Sequence, residues 1–343
     1  MSTPKTQFWK DKTVLVTGAT GLLGGWLVKE LLPLGANVVA LIRDGNPRSM
    51  LNSDGLLARI STVSGSIEDF NQVRRAMCEY EVHTVFHLAA QPIVGVAKLD
   101  PMGTLETNVR GTWNILEAAR LAKVPQVLVA SSDKAYGSSD TLPYTENHPL
   151  QGRFPYDVSK SCADLIATMY ANAYGLPVVI TRCANLFGGG DLNFSRLVPD
   201  LIRRTLAGKP FLIRSNGLFV RDYVYVRDAV AGLLRLTEAL AGDPSLAGQA
   251  FNFSMGVRQS VLELVDQVLE AMGRTDLKPI ILNQASLEIK EQFMSAQKAR
   301  DVLDWECRYA FPQALAETIA WYRSFFEATP DGRLLARTAD SGA

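Results

Sequence analysis

Cysteine is scarce in this 343-residue chain. Cys78, Cys162, Cys183 and Cys307 lie far apart with no C-x-x-C spacing, which excludes a disulfide framework and a thiolate zinc site and leaves reduced thiols. Histidine is scarcer still: His83, His87 and His148 have no metal-ligand spacing, so no metal is expected, and His87 reads as a residue packed at a strand end. An excess of one charge is also lacking. The 35 Lys and Arg balance 35 Asp and Glu without long blocks, so nothing offers an electrostatic footprint for nucleic acid or an anionic membrane. No apolar run approaches a membrane span, and the residues around Phe8 and Trp9 lack a signal-peptide core, so the expectation is a cytoplasmic protein. Its expected partners are small molecules and copies of itself.

What is present is alternation. Short apolar, β-branched runs at Thr13 to Thr17, Asn37 to Ile42, Arg59 to Ser64, Thr84 to His87, Gln126 to Ala130 and Val178 to Thr181 read as strands covered on both faces. Amphipathic stretches at Leu22 to Leu34, Phe70 to Tyr80, Gly103 to Ala122 and Tyr156 to Tyr174 lie between them. This order predicts an α/β fold of Rossmann type, a doubly wound parallel sheet over residues 1–184. After Asn185 the elements shorten: a Gly188-Gly189-Gly190 turn, a helix near Arg196 to Ala207, a strand at Phe211 to Arg214, and helices near Val226 to Ala241, Val261 to Met272 and Pro312 to Glu327. Residues 185–328 therefore read as a smaller mixed α/β substrate-binding lobe, interleaved with the first at its edges. Residues 329–343, rich in Pro, Gly, Asp and Ser, read as a disordered tail.

The segment from Val14 to Gly24 runs from a strand through G-x-x-G-x-x-G into an amphipathic helix. Gly18 allows a tight turn, Gly21 lets backbone N–H groups approach a pyrophosphate at the helix N-terminus beside Leu22 and Leu23, and Gly24 lets helix and sheet pack closely. Arg43 and Asp44 follow the second strand. Arg43 would pair with a 2′-phosphate and select NADP; Asp44 would accept from a 2′-hydroxyl and select NAD; a solvated charge pair would do neither.

Tyr156 and Lys160 are four residues apart near a helix start and share one face. An ammonium beside a phenol favours the phenolate, which is what a redox base near neutrality needs. Both the glycine spacing and this Tyr-x-x-x-Lys pattern resemble the short-chain dehydrogenase/reductase superfamily in its extended, nucleotide-sugar-modifying branch, the epimerases and dehydratases. The likeness runs from about Lys12 to Phe325.

That resemblance implies a tightly bound NAD or NADP, regenerated in each turnover, and further roles by position. Leu88, Ala89, Ala90 and Asn108 match cofactor contacts. Ser66 and Ile67 stand where the family has an Asp-Ile or Asp-Leu pair beside the adenine, the serine offering a weaker contact. Ser132 matches the hydroxyl that holds the reacting substrate oxygen against Tyr156, with Lys160 reaching the nicotinamide ribose. Asn185 and Arg221 match contacts to the sugar diphosphate, and Gln91 falls on the substrate side. Arg196 reads either as a second phosphate or base contact or as a surface arginine. Related enzymes pair through the helices near Gly103 to Ala122 and Tyr156 to Tyr174, which implies a homodimer.

Asp133 and Lys134 select between reactions. An acid and an amine directly after Ser132 suit elimination of water, Asp133 protonating the departing carbon 6 hydroxyl and Lys134 removing the carbon 5 proton. The Asp-Lys pair resembles the CDP-glucose 4,6-dehydratase group. The rival readings are a plain 4-epimerase, in which the pair is a salt-bridged turn, and a non-catalytic dinucleotide-sensing protein of the same fold.

Overall fold

Apolar runs short enough for strands and amphipathic runs long enough for helices alternate along the first half, and the inner strands bury side chains on both of their faces. The structure is a computed structural model describing residues 5–284 and 289–328. Its central sheet is parallel and seven-stranded: β1 (Thr13–Thr17), β2 (Asn37–Ile42), β3 (Ser61–Ser64), β4 (Thr84–His87), β5 (Gln126–Ala130), β6 (Val178–Cys183) and β7 (Ala250–Phe253), in the order β7-β6-β5-β4-β1-β2-β3. The order reverses between β1 and β4, the point at which open α/β sheets form their ligand crevice.

Alternation within the strands divides the core. Val14, Val16, Val38, Phe86 and Leu128 point to one face, packed under α1 (Leu22–Leu31) and the long helix Val226–Gly242. Leu15, Val39, Val85, Val127 and Ile180 point to the other, under α2 (Phe70–Glu79), α3 (Gly111–Leu121) and α4 (Pro155–Tyr174). Each such side chain contributes about 1.5–3 kcal/mol through burial.

The structure refines several expected elements. The first helix stops at Leu31 and tightens into a 3₁₀ turn over Leu32–Leu34, because Pro33 has no N–H to continue the α ladder. The third strand starts at Ser61 and not at Arg59, since Leu56–Arg59 forms a 3₁₀ turn. The long helix expected from Gly103 is interrupted by a π turn over Glu106–Arg110, which swings Asn108 inward to 2% exposure.

The second half gathers a third core around Leu201, Leu264, Val268, Phe311 and Tyr322. It comes from α5 (Leu197–Leu206), α7 (Val261–Ala271) and α8 (Phe311–Ala328), while α6, the Val226–Gly242 helix, returns to the large sheet. Two short parallel ladders were not expected: Asn185–Phe187 beside Tyr223–Tyr225, and Leu212–Ile213 beside Ile280–Ile281. The residues 329–343 read as a disordered tail lie outside the described residues.

Candidate active site

The glycine turn joins β1 to α1 at the point of reversal. Gly18 has φ +74, and a Cβ on it would lie 2.7 Å from the Ala89 amide nitrogen, so the position needs glycine for both backbone and space. A Cβ on Gly24 would run into the Gly18 carbonyl oxygen. Gly21 is the N-cap of α1 and supplies no side-chain cap, so the first-turn amides near Leu22 and Leu23 stay available to an anionic ligand. A cradle that a single methyl group would fill, beneath a helix N-terminus of ten residues, fits a pyrophosphate.

The opposite wall is pinned by hydrogen bonds. The Thr17 hydroxyl accepts from the Leu88 and Ala89 amides at 3.2 and 3.1 Å, and meets His87 Nδ1 at 2.9 Å. His87 Nε2 lies 3.1 Å from the Thr112 hydroxyl, and burial pulls its pKa down to about 3, which keeps the imidazole neutral. It is the packed strand-end residue that was expected. Asn108 accepts from the Gln91 amide at 2.7 Å and donates to the Gln91 carbonyl at 3.1 Å and the Ser159 hydroxyl at 2.9 Å, tying the loop after β4 to α4. Arg43 and Asp44 form an exposed ion pair at 2.6 Å.

α4 begins at Pro155, which suits a first helical position, and so carries Tyr156 and Lys160 side by side into the crevice. The Ser161 hydroxyl donates to the Ala135 carbonyl at 2.9 Å, locking the helix to the 3₁₀ turn Asp133–Tyr136 that ends β5. Burial pushes the Tyr156 phenol up to about 12; the Ser132 hydrogen bond and the Arg196 charge oppose that shift. Lys160 is 7% exposed and donates to the Ala130 carbonyl at 2.8 Å, with burial lowering its pKa to about 8. In this arrangement Ser132 and Arg196 are the chief groups that favour the phenolate, while the Lys160 ammonium is turned toward the end of β5.

Asp133 is 3% exposed. Its Oδ1 accepts from the Ser132 hydroxyl at 3.0 Å, and its Oδ2 is buried without a hydrogen bond, 3.7 Å from Lys134 Nζ. Lys134 also donates to the Gln292 side-chain carbonyl. Gln292 is fully buried with its amide nitrogen unpartnered. No sequence signal pointed to it, because it arrives from the far end of the second lobe.

A second group missed from sequence is Asp157, beside Tyr156. It is 4% exposed, with its pKa pushed up to about 6 chiefly by burial, the Lys134 charge acting against this and the Asp133 charge with it. The motif itself held the clue, an acid directly beside the redox tyrosine, on a face that also buries Ser159, Lys160 and Ser161. Asp222 is fully buried too, accepting from Ser254 at 2.5 Å and from the Met294 amide at 3.0 Å, and burial raises it to about 7.

In the second half, Asn185 donates at 2.9 Å to the carbonyl of Asp222, the residue that links Arg221, on the short strand Val220–Arg221, to the ladder Tyr223–Tyr225 beside Asn185. Arg221 donates to the Val220 carbonyl at 2.9 Å and stacks over Phe219. Arg196 stands at the N-cap position of α5 and pairs with Asp191 at 3.0 Å, and its charge favours the Tyr156 phenolate. The glycines of the Gly188-Gly189-Gly190 turn serve packing: Cβ atoms there would meet Val226, Trp321 and Met50. Among the described residues no group of His, Cys, Asp and Glu could hold a metal ion.

Comparison with known proteins accords with this geometry. Residues 14–252 match the NAD dependent epimerase/dehydratase family. The chain is 28% identical over 334 residues to a CDP-glucose 4,6-dehydratase of Salmonella typhimurium, covering 93% of this chain and 92% of that one. It is 32% identical to a UDP-glucose 4-epimerase of Mycolicibacterium smegmatis, covering 90% and 98%. Among solved structures, a dTDP-glucose 4,6-dehydratase of Bacillus anthracis in complex with NAD superposes with a TM-score of 0.79 at 28% identity, over 91% of this chain and 97% of that one. With a crevice at the sheet reversal, a glycine cradle, and a Ser, Tyr and Lys gathered at its mouth, the chain belongs to the NAD dependent epimerase/dehydratase family.

Proposed function

We propose that this protein is a nucleotide-sugar 4,6-dehydratase that converts an NDP-hexose to an NDP-4-keto-6-deoxyhexose with a tightly bound NAD or NADP. The observation that carries the reading is the buried Asp133 carboxylate, with one oxygen unpartnered and the Lys134 amine 3.7 Å away, directly after the Ser132 that contacts Tyr156. A 4-epimerization needs no such pair. The named 4,6-dehydratase relatives support the same choice.

The bound nicotinamide supplies a reversible hydride acceptor for carbon 4 and donor to carbon 6. Ser132 holds the carbon 4 oxygen, and Tyr156 as phenolate takes its proton. The Lys134 ammonium first passes a proton to the Asp133 carboxylate 3.7 Å away; Asp133 then gives it to the departing carbon 6 hydroxyl, which leaves as water, and Lys134, now a neutral amine, takes the carbon 5 proton and later returns it. One proton then sits on Tyr156 and one is missing from the Asp133 and Lys134 pair. The Ser132 hydroxyl bonds both Tyr156 and Asp133, so it offers the path that resets them. Asn185, Arg221 and Arg196 are the proposed diphosphate contacts, on a second lobe placed at 185–328.

Mass spectrometry of the products from CDP-, dTDP-, UDP- and GDP-hexoses tests this reading. Loss of one water from at least one sugar nucleotide is expected. Products of unchanged mass from every active substrate would establish the 4-epimerase instead.

The reading includes a homodimer. Leu99, Met102, Trp113, Leu165 and Met169 are exposed on the helices around α3 and α4, an apolar face suited to a second copy, and sedimentation equilibrium should return twice the chain mass. A cytoplasmic setting is proposed from the four free cysteines. No helix among the described residues is long and apolar enough to cross a membrane.

A further inference from the structure

Asp222 stands between Arg221 and the short strand Tyr223–Tyr225, fully buried. Three segments of the chain meet on it. Its carbonyl accepts from the Asn185 amide at 3.1 Å and from the Asn185 side chain at 2.9 Å. Its Oδ2 accepts from the hydroxyl of Ser254, just past β7, at 2.5 Å and from the Met294 amide at 3.0 Å. Ser254 is held in turn, accepting from the Gly256 amide at 2.8 Å.

The Met294 bond leads to the catalytic turn. Met294 is two residues from Gln292, whose side-chain carbonyl takes the Lys134 ammonium. The backbone of this segment is anchored on both sides. The Gln292 amide donates to the Val220 carbonyl at 3.2 Å, the Tyr144 amide donates to the Phe293 carbonyl at 3.0 Å, and the Ser295 amide donates to the Tyr144 carbonyl at 2.8 Å. The Asp222 carboxylate adds a side-chain anchor, and it joins the segment behind Lys134 to the residue that follows Arg221. Stability does not account for an acid here. Asp222 Oδ1 is buried with no hydrogen-bond partner, and a buried carboxylate left half-satisfied weakens a fold. What the acid provides is one acceptor shared by donors from two separate segments.

We propose that Asp222 is a positioning residue that sets Arg221 and Asn185 at a fixed separation from Lys134, so that the diphosphate and carbon 5 of the sugar are held in register. The proposal rests on the dehydratase reading of Asp133 and Lys134. Register matters because a displacement of about 1 Å in a catalytic group can cost about a hundred-fold in rate.

The test is rapid-mixing kinetics at saturating sugar nucleotide, following reduced nicotinamide by near-ultraviolet absorbance and loss of water by mass spectrometry. Carbon 4 oxidation uses Ser132, Tyr156 and Lys160, whereas elimination uses Lys134, the group that Gln292 holds. Asp222→Ala should therefore raise KM and slow elimination, each by about ten-fold or more, and reduced nicotinamide should build up during turnover. Asp222→Asn, whose amide oxygen can accept from both Ser254 and Met294, should stay within about three-fold of wild type in both quantities. Ser254→Ala removes one of the two donors and should move the same quantities in the same direction by about three-fold, a readout that serves if Asp222→Ala does not fold. Equal slowing of oxidation and elimination in Asp222→Ala, or unaltered kinetics in Ser254→Ala, overturns the proposal and leaves Asp222 a structural residue. A loss in Asp222→Asn as large as that in Asp222→Ala also overturns it, because the effect then belongs to the charge that Asp222 sets near Asp133. A wild-type protein that removes water from no sugar nucleotide overturns the dehydratase reading itself, and the role of Asp222 toward Lys134 with it.

Discussion

Lys134 and Gln292, 158 positions apart, meet where the Lys134 ammonium donates to the Gln292 carbonyl at the base of the crevice. The lysine is thereby held by a residue of the other lobe, with Asp133 at 3.7 Å on its own turn.

Gln292→Leu should lower kcat by roughly ten- to a hundred-fold, the range expected when a hydrogen bond to a charged group is lost, while KM changes little. Steady-state kinetics on the active sugar nucleotide checks this. An unaltered kcat would mean that Lys134 needs no help from the second lobe.

Asp133→Asn should separate oxidation from elimination. The amide cannot protonate the leaving hydroxyl, so dehydration is expected to fall by about 10² to 10⁴, the usual worth of a positioned acid. Reduced nicotinamide should then accumulate in the near-ultraviolet absorbance, because carbon 4 is still oxidised. Full dehydration by this variant would remove Asp133 from its role.

Gly18→Ala forces a methyl group against the Ala89 amide at φ +74. A loss of about 1–3 kcal/mol of stability is expected from the strained backbone, together with loss of co-purifying dinucleotide. Chemical denaturation and mass spectrometry of the bound nucleotide measure the two effects separately.

Lys160 supplies a pH dependence whose sign can be worked out. Burial lowers it from 10.5 to about 8, so between those values the unfolded chain binds more protons than the native one, and stability rises with pH across that window. The denaturation midpoint of wild type should therefore gain on that of Lys160→Met from pH 8 upward. Turnover should fall over the same range as the charge on Lys160 is lost. A constant difference between the two midpoints would show that Lys160 does not titrate there.

The large sheet was legible because five of its strands are mostly apolar, buried runs set between amphipathic stretches, while β3, with Val63 as its one buried residue, rested on β-branched content. β7 was not legible. Its four residues include Asn252, a polar side chain buried to 0% exposure because it accepts from the Tyr136 phenol at 2.7 Å, a partner that only the fold supplies. The glycine cradle and the Tyr156 and Lys160 pair could be read because their spacing is local and their chemistry demands those residue types, whereas Ser132, 24 positions before Tyr156, rested on the family resemblance. Gln292 could not, since no periodicity marks a glutamine that touches its partner from the other end of the chain. Arg196 could be read only as one of two alternatives, since its distance from Tyr156 depends on how α5 crosses the site.

The position of β7 bears on how this protein comes into being. The sheet that holds the glycine cradle is finished by a strand at 250–253, after the chain has passed through α5 and α6 of the second half. A fragment ending at residue 184 would leave β6, buried at every position in the complete sheet, as an open edge, an invitation to pair with another chain. During synthesis the first 184 residues therefore wait, incomplete, for a segment made later. The first half and the later segment that completes its sheet are one unit of folding.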